Sequence, residues 1–394
     1  MATLGDVGGM TISRRKFAQL LGAGAAAAVA RPRLSLARVP AESASSSLGS
    51  AVVRLSSNEN PYGPSPAALK AMNNAFGLTN RYPDEHADEL VKSIANLDKV
   101  GADQVLLGDG SGEILKLCAD AFTGWRKAGQ NATDRGPLVV ADPTFEAVIY
   151  HAERNGARIV KLPLTASYSH DLPKMLAAAE GGLVYICNPN NPTASISPKN
   201  EVRDFIAKAP EKTIILVDEA YFHYADEREY ESVIPLVAQH PNLIVARTFS
   251  KIYGMAGLRC GYCVAQAYTI ERLRALQSWD SVNIMAVAAA KASLDDANQV
   301  DEQRRRNEET RAFTVGELEK MGHRTIPSQA NFIMFDAGRP VVPLIASLNN
   351  RKVRVGRLFR AMPNHLRLTI GKPAEMEAFL AAFRQITAPA RDAA

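Results

Sequence analysis

Five short runs in the middle of the chain are apolar without alternation: Val105–Leu107, Leu138–Val140, Leu183–Ile186, Ile214–Val217 and Leu243–Ala246. A strand with one wet face alternates apolar and polar residues, whereas a strand covered on both faces need not. Between these runs lie stretches of helical periodicity, among them Gly112–Phe122, Thr144–Asn155 and Lys199–Lys208. Strand and helix in turn predict an α/β fold with a mostly parallel sheet coated by helices on both faces. After about residue 280 the pattern changes. Helices are expected over Val282–Leu294 and Gln303–Lys320, strands over Asn331–Phe335 and Leu366–Ile370, and a last helix from Ala374. The expected organisation is a large domain over 76–280 and a smaller α/β domain over 281–394, which the segment 51–75 joins. A chain of 394 residues suits such a two-domain body.

The first forty residues read differently. Ser13-Arg14-Arg15-Lys16-Phe17 precedes a modestly apolar run, Leu20 to Ala30, rich in Ala and Gly. This resembles a twin-arginine export signal, so residues 1–40 are expected to be a leader and the Ser- and Ala-rich stretch 41–50 a linker. The run of 11 residues is too short to span a bilayer. An exported, periplasmic protein is expected, or a cytoplasmic one if the signal is not functional. The leader also accounts for the charge. The chain carries a formal +5, and residues 1–40 hold six basic residues against Asp6 alone, which leaves a neutral body. No global basic excess remains to attract a nucleic-acid backbone. Four cysteines are present, and Cys260-Gly-Tyr-Cys263 has no second pair to complete a zinc site. On a strand these two side chains point to opposite faces, so all four are read as packing residues and no metal is expected.

Candidate chemistry gathers at the predicted strand ends, where ligands of such sheets bind. Thr248-Phe-Ser250-Lys251 followed by Arg259 offers a lysine, two hydroxyls and a guanidinium around a glycine-bearing loop. That set suits a phosphorylated aldehyde cofactor: the lysine forms the imine, and the hydroxyls and guanidinium take the phosphate. In Gly108-Asp-Gly-Ser111-Gly112-Glu113 a strand opens into a helix, so the N–H groups of Ser111, Gly112 and Glu113 can cradle an anion. Phe145 follows another strand and can stack on a planar ring. Asn188-Pro-Asn-Asn191-Pro-Thr193 forms a turn-rich stretch that can aim the Asn191 amide at a ring oxygen. Asp218 ends the most apolar run, and a buried carboxylate needs a cation or several donors. A protonated pyridine nitrogen would supply the cation, and Tyr221 could donate to the ring oxygen. Arg367, on the predicted last strand, has the planar fork that binds carboxylate or phosphate.

These motifs, in this order, resemble the class I/II aminotransferases of fold type I that use pyridoxal phosphate. Asn58–Pro66, Arg81-Tyr82-Pro83, Asn188–Thr193, Val217–Tyr221 and Thr248–Gly261 look especially like the histidinol-phosphate aminotransferase branch. The resemblance runs from about Leu55 to the C-terminal helix. It implies that Lys251 is the Schiff-base lysine, that Asp218 pairs with the pyridine nitrogen, and that Asn191 and Tyr221 contact the ring oxygen while Phe145 stacks. It gives the phosphate to Ser111, Gly112, Thr248, Ser250 and Arg259, with Tyr82 reaching across a homodimer interface, and the substrate anion to Arg367. Two departures bear on the pocket: Gly112 stands where an acidic residue is usual, and Ala194 replaces a glycine. The implied reaction moves an amino group from an amino acid or amino-alcohol phosphate to a keto or aldehyde acceptor in ping-pong order. A decarboxylase or lyase on the same fold is the alternative, and a non-catalytic binding protein a remote one.

Overall fold

The computed structural model describes residues 52–124 and 135–388; the leader and linker expected over 1–50 lie outside the described residues. The strands, in chain order, are β1 (Val53–Leu55), β2 (Val105–Gly108), β3 (Leu138–Asp142), β4 (Ile159–Pro163), β5 (Gly182–Cys187), β6 (Thr213–Asp218), β7 (Leu243–Thr248), β8 (Gly261–Val264), β9 (Phe332–Asp336), β10 (Val353–Val355) and β11 (His365–Thr369). Seven of them form one sheet in the order β2-β8-β7-β6-β5-β3-β4. From β4 to β7 every pairing is parallel, while β8 runs antiparallel to both β7 and β2. The α/β, mostly parallel expectation therefore holds.

The missing alternation has a direct cause. Ile215, Val217, Leu243 and Val245 enter one apolar layer, and Leu216, Ile244 and Ala246 enter the other. Helices 84–98, 199–208 and 284–294 supply side chains to the first layer; helices 110–122, 147–154 and 267–274 supply the second. Both faces of each central strand are thus dry, so a polar side chain there must find partners, as Arg247 does. The cysteines follow the same logic. Cys260 packs in the first layer and Cys263 in the second, and all four thiols are free and buried.

A third apolar cluster, built around Leu318, Ile333, Phe335, Leu366, Phe379 and Phe383, also takes in Leu55 from the N-terminal segment. There β9 pairs antiparallel with β11, and β1 lies parallel to β10. By their contacts the described residues form one compact unit.

Several boundaries move. The helix expected over Gly112–Phe122 begins at Gly110, because the Glu113 carboxylate turns back to accept from the Asp109 N–H at 2.7 Å. The helix expected from Thr144 begins at Ala147, since the Thr144 hydroxyl instead donates to Asn190 Oδ1 at 3.0 Å. Asn283 caps the N–H of Ala286 at 2.9 Å and starts the next helix at Ile284 rather than Val282. The long helix starts at Gln299, four residues before the expected Gln303. The last two strands are displaced by one residue each, to Phe332–Asp336 and His365–Thr369, and the last helix starts at Pro373. Lys199–Lys208 is as expected.

Two features fix what surrounds the site. Gly254 sits at φ +71°, and a Cβ there would run into the backbone of Gly63, so the N-terminal segment lies directly against the lysine loop. Below the sheet ends, buried Arg247 pairs with Asp98 at 2.8 Å and Glu219 at 2.9 Å, with its guanidinium 4.0 Å from the centre of the Phe222 ring. Arg247 immediately precedes Thr248, so this network anchors β7 where the site begins.

Candidate active site

The carboxyl ends of β3, β5, β6 and β7 open onto one cleft of about 620 Å³. Ser111, Gly112, Phe145, Asn191, Asp218, Tyr221, Thr248, Ser250, Lys251, Arg259 and Arg367 all line it. Of the residues expected from sequence, Glu113 and Tyr82 are not among its walls. The Glu113 carboxylate is turned toward Asp109 and Gln277. Tyr82 is 76% exposed on the outer surface.

Asp218 is 2% exposed. Its carboxylate accepts from the Tyr185 hydroxyl at 2.8 Å and the Ala220 N–H at 3.1 Å, and among the described residues no cation pairs with it. Burial, the largest influence, pushes its pKa up to about 6 despite those two donors and the nearby Lys251 charge. A buried carboxylate of this kind, aimed into a cleft, fits a cationic ring nitrogen.

Lys251 Nζ lies 5.6 Å from the centre of the Tyr221 ring and donates to the carbonyl oxygen of Asn58 at 3.1 Å. Burial first, and then the neighbouring Arg367 charge, lower its pKa to about 8. That value leaves a useful fraction of the amine unprotonated near neutrality. Tyr221 is buried, and burial raises its pKa, so the phenol keeps its proton.

The anion cradle is also present. Helix 110–122 presents first-turn N–H groups that have no carbonyl partner within the helix. The Thr248 and Ser250 hydroxyls lie 2.9 Å apart beside it. Arg259, at φ +61°, donates to the Asp109 carbonyl at 3.1 Å and covers Gly110, where a Cβ would strike its guanidinium. A Cβ at Gly112 would meet nothing nearer than Arg259 at 3.8 Å, so the expected departure there widens the cradle without straining it. Ala194, the other departure, holds φ +60° with its methyl in the core.

Arg367 closes the far wall. It donates to Asn191 Oδ1 at 2.7 Å and to the Ser56 carbonyl at 2.6 Å. Its Nε is buried without a partner, and no carboxylate pairs with it among the described residues.

Sequence reasoning assigned no role to Asn58, Tyr185, Arg357 or Phe359. Tyr185 is hidden inside an apolar strand run, where nothing separates it from a core aromatic. Phe359 and Arg357 follow a three-residue strand that the pattern does not announce. Asn58 stands in a quoted motif, but only its contacts show its use. Among the described residues no cluster of metal-ligating side chains occurs.

A sheet of this topology, with a lysine, a buried carboxylate and an anion cradle at its strand ends, defines a class of enzyme. The chain belongs to the class I and II aminotransferases, whose family model matches residues 50–383. It is 38% identical to a histidinol-phosphate aminotransferase of Symbiobacterium thermophilum, over 84% of this chain and 90% of that protein. Its fold matches the histidinol-phosphate aminotransferase of Sinorhizobium meliloti, a structure in complex with pyridoxal-5'-phosphate, with a TM-score of 0.77 at 27% identity over 85% of this chain and 91% of that one. An L-threonine-O-3-phosphate decarboxylase of Porphyromonas gingivalis shares the fold alone, with a TM-score of 0.73 at 21% identity over 85% and 99% of the two chains. The chain is therefore a pyridoxal-phosphate-dependent aminotransferase, as the resemblance implied.

Proposed function

We propose that this aminotransferase works on anionic partners, an amino acid or an amino-alcohol phosphate as donor and a keto or aldehyde compound as acceptor, each anchored by Arg367. The observation that carries this reading is the state of Arg367. A buried guanidinium that hydrogen-bonds only to neutral oxygens and lies over the Phe332 and Phe359 rings, with one N–H unpartnered, is a cation prepared for an incoming anion. The phosphate of histidinol phosphate, the substrate in the relatives' names, is one such anion.

Pyridoxal phosphate, when bound, supplies an aldehyde that combines with amines and a ring that stabilises negative charge on the neighbouring carbon. Around it this chain's residues have separate tasks. Ser111, Gly112, Thr248, Ser250 and Arg259 would hold the phosphate, and Phe145 would stack on the ring. The Asp218 carboxylate would keep the ring nitrogen protonated. Asn191 and Tyr221 would face the ring oxygen. Lys251 Nζ would take the proton from the substrate carbon that bears the nitrogen and later return it.

Three further parts belong to this proposal. Residues 51–75 and 281–394 act as a smaller domain beside the 76–280 domain. The active unit is a homodimer in which exposed Tyr82 reaches the neighbouring subunit's phosphate. Residues 1–40 direct the folded, loaded enzyme to the periplasm by the twin-arginine route. Among the described residues no helix is long and apolar enough to cross a membrane.

The test is a panel of donors and acceptors read by the spectrum of the bound cofactor. Anionic donors should convert the cofactor to its amine form, and matched neutral amines should fail. Equal conversion by both groups would sink the Arg367 reading. For export, Arg14→Lys with Arg15→Lys should hold the protein in the cytoplasm, and continued export would refute the signal.

A further inference from the structure

Asn58 occupies an unusual position. It is 1% exposed, sits at φ +54° and belongs to no helix or strand. Asn is one of the few non-glycine residues that tolerate this backbone region. Every polar atom of the residue is engaged. Its N–H donates to Thr369 Oγ1 at 2.9 Å, and the same hydroxyl donates to Asn58 Oδ1 at 3.2 Å. Its carbonyl accepts from Lys251 Nζ and from Asn331 Nδ2, both at 3.1 Å. Its Nδ2 donates to the Tyr221 hydroxyl oxygen at 3.0 Å.

The order of these bonds fixes a direction. Because Thr369 Oγ1 accepts from the backbone N–H, its own hydrogen goes to Oδ1, so the amide must present Nδ2 to Tyr221. The phenol oxygen then accepts on that side, and its hydrogen is left to point into the cleft. We propose that Asn58 is a positioning residue that makes Tyr221 a one-way donor toward the ring oxygen of the cofactor. The proposal rests on the reading of Tyr221 as a ring contact. Thr369 follows Arg367 by two residues on β11, on the same face, so the strand that holds the substrate anion also holds the Asn58 amide in place.

The consequence is spectroscopic. A hydrogen bond given to the ring oxygen stabilises its anionic form and lowers the pH at which the bound cofactor changes its absorption. The charged and titratable groups facing Tyr221 and Lys251 are Arg367, Arg259, Asp218, Cys187 and Glu59, and none of these changes in the test. In Asn58→Asp a carboxylate tolerates the same backbone but only accepts, so the Tyr221 hydrogen turns away from the cleft. Asn58→Gly keeps the backbone and removes the amide without capturing that hydrogen.

Absorbance is titrated in the holoenzyme for the wild type, Tyr221→Phe, Asn58→Asp, Asn58→Gly and Asn58→Asp/Tyr221→Phe. Tyr221→Phe and Asn58→Asp should each raise the midpoint by about one pH unit or more. Asn58→Gly should raise it by less, and the double variant should match Tyr221→Phe. If Asn58→Asp shifts the midpoint equally in the Tyr221→Phe background, its charge acts directly and the proposal falls. If Tyr221→Phe shifts it and Asn58→Asp does not, the proposal falls alone. If Tyr221→Phe leaves it unchanged, the ring contact falls with it.

Discussion

Replacing Asp218 by Asn should stabilise the cofactor-free protein at neutral pH while disabling the enzyme. The carboxylate is buried with no ion pair and only the nearby Lys251 charge to offset it, and its pKa rises from an ordinary 3.8 to about 6. A carboxyl group whose folded pKa lies above its unfolded one costs nothing below the lower value. The cost then grows as pH rises between the two and is fully present above about 6. An interval of about two pH units corresponds to roughly 3 kcal/mol against folding at pH 7. Asn removes that cost. The substitution also has a price: one oxygen can still accept from Tyr185, but the Ala220 N–H then faces an amide donor, a loss of about 1 kcal/mol. The variant should therefore be roughly 2 kcal/mol more stable than the wild type at pH 7 and about 0.5 kcal/mol less stable at pH 4. Urea unfolding of both cofactor-free proteins across that range measures the difference, in which the histidines common to both cancel. A difference that stays flat from pH 4 to pH 7 would refute the poorly compensated carboxylate. Adding pyridoxal phosphate should reverse the ranking, because only Asp218 pairs with a cationic ring nitrogen.

Lys251→Ala should abolish the covalent link to the cofactor and cut turnover by at least about a hundredfold, read by borohydride reduction with peptide mass and by rate. Arg367→Gln should raise KM for carboxylate substrates roughly 10- to 100-fold while leaving the cofactor spectrum in place, as steady-state kinetics with a parallel titration would show. Arg247→Met, outside the cleft, should destabilise the protein by roughly 3–5 kcal/mol in urea, because it strands Asp98 and Glu219 as buried unpaired charges.

Much of this enzyme is legible from its residues in order. Unalternating apolar runs announced five sheet strands, because strands dry on both faces need not alternate. Lys251, Asp218, Asn191, Tyr221, Arg259 and Arg367 could be picked out because a phosphorylated aldehyde cofactor needs those chemical types at strand ends. Short strands such as β1, β4 and β10 stayed hidden. Val53–Leu55 and Val353–Val355 are too brief to carry a period, and β4 at the sheet edge is only partly buried.

What tertiary structure alone decided is how the chosen groups are poised. Sequence named Asp218 but could not say how little charge compensates it, since that depends on which side chains reach the floor of the cleft. Arg367 was equally visible, yet its unmet Nε follows from Asn191 and Ser56 arriving from segments about 170 and 310 residues away. Asn58 shows the division most clearly. Its type suits its left-handed backbone, a local property. Its use comes from Tyr221, Lys251 and Thr369 meeting around it, and contacts so distant in sequence leave no period or spacing in the chain.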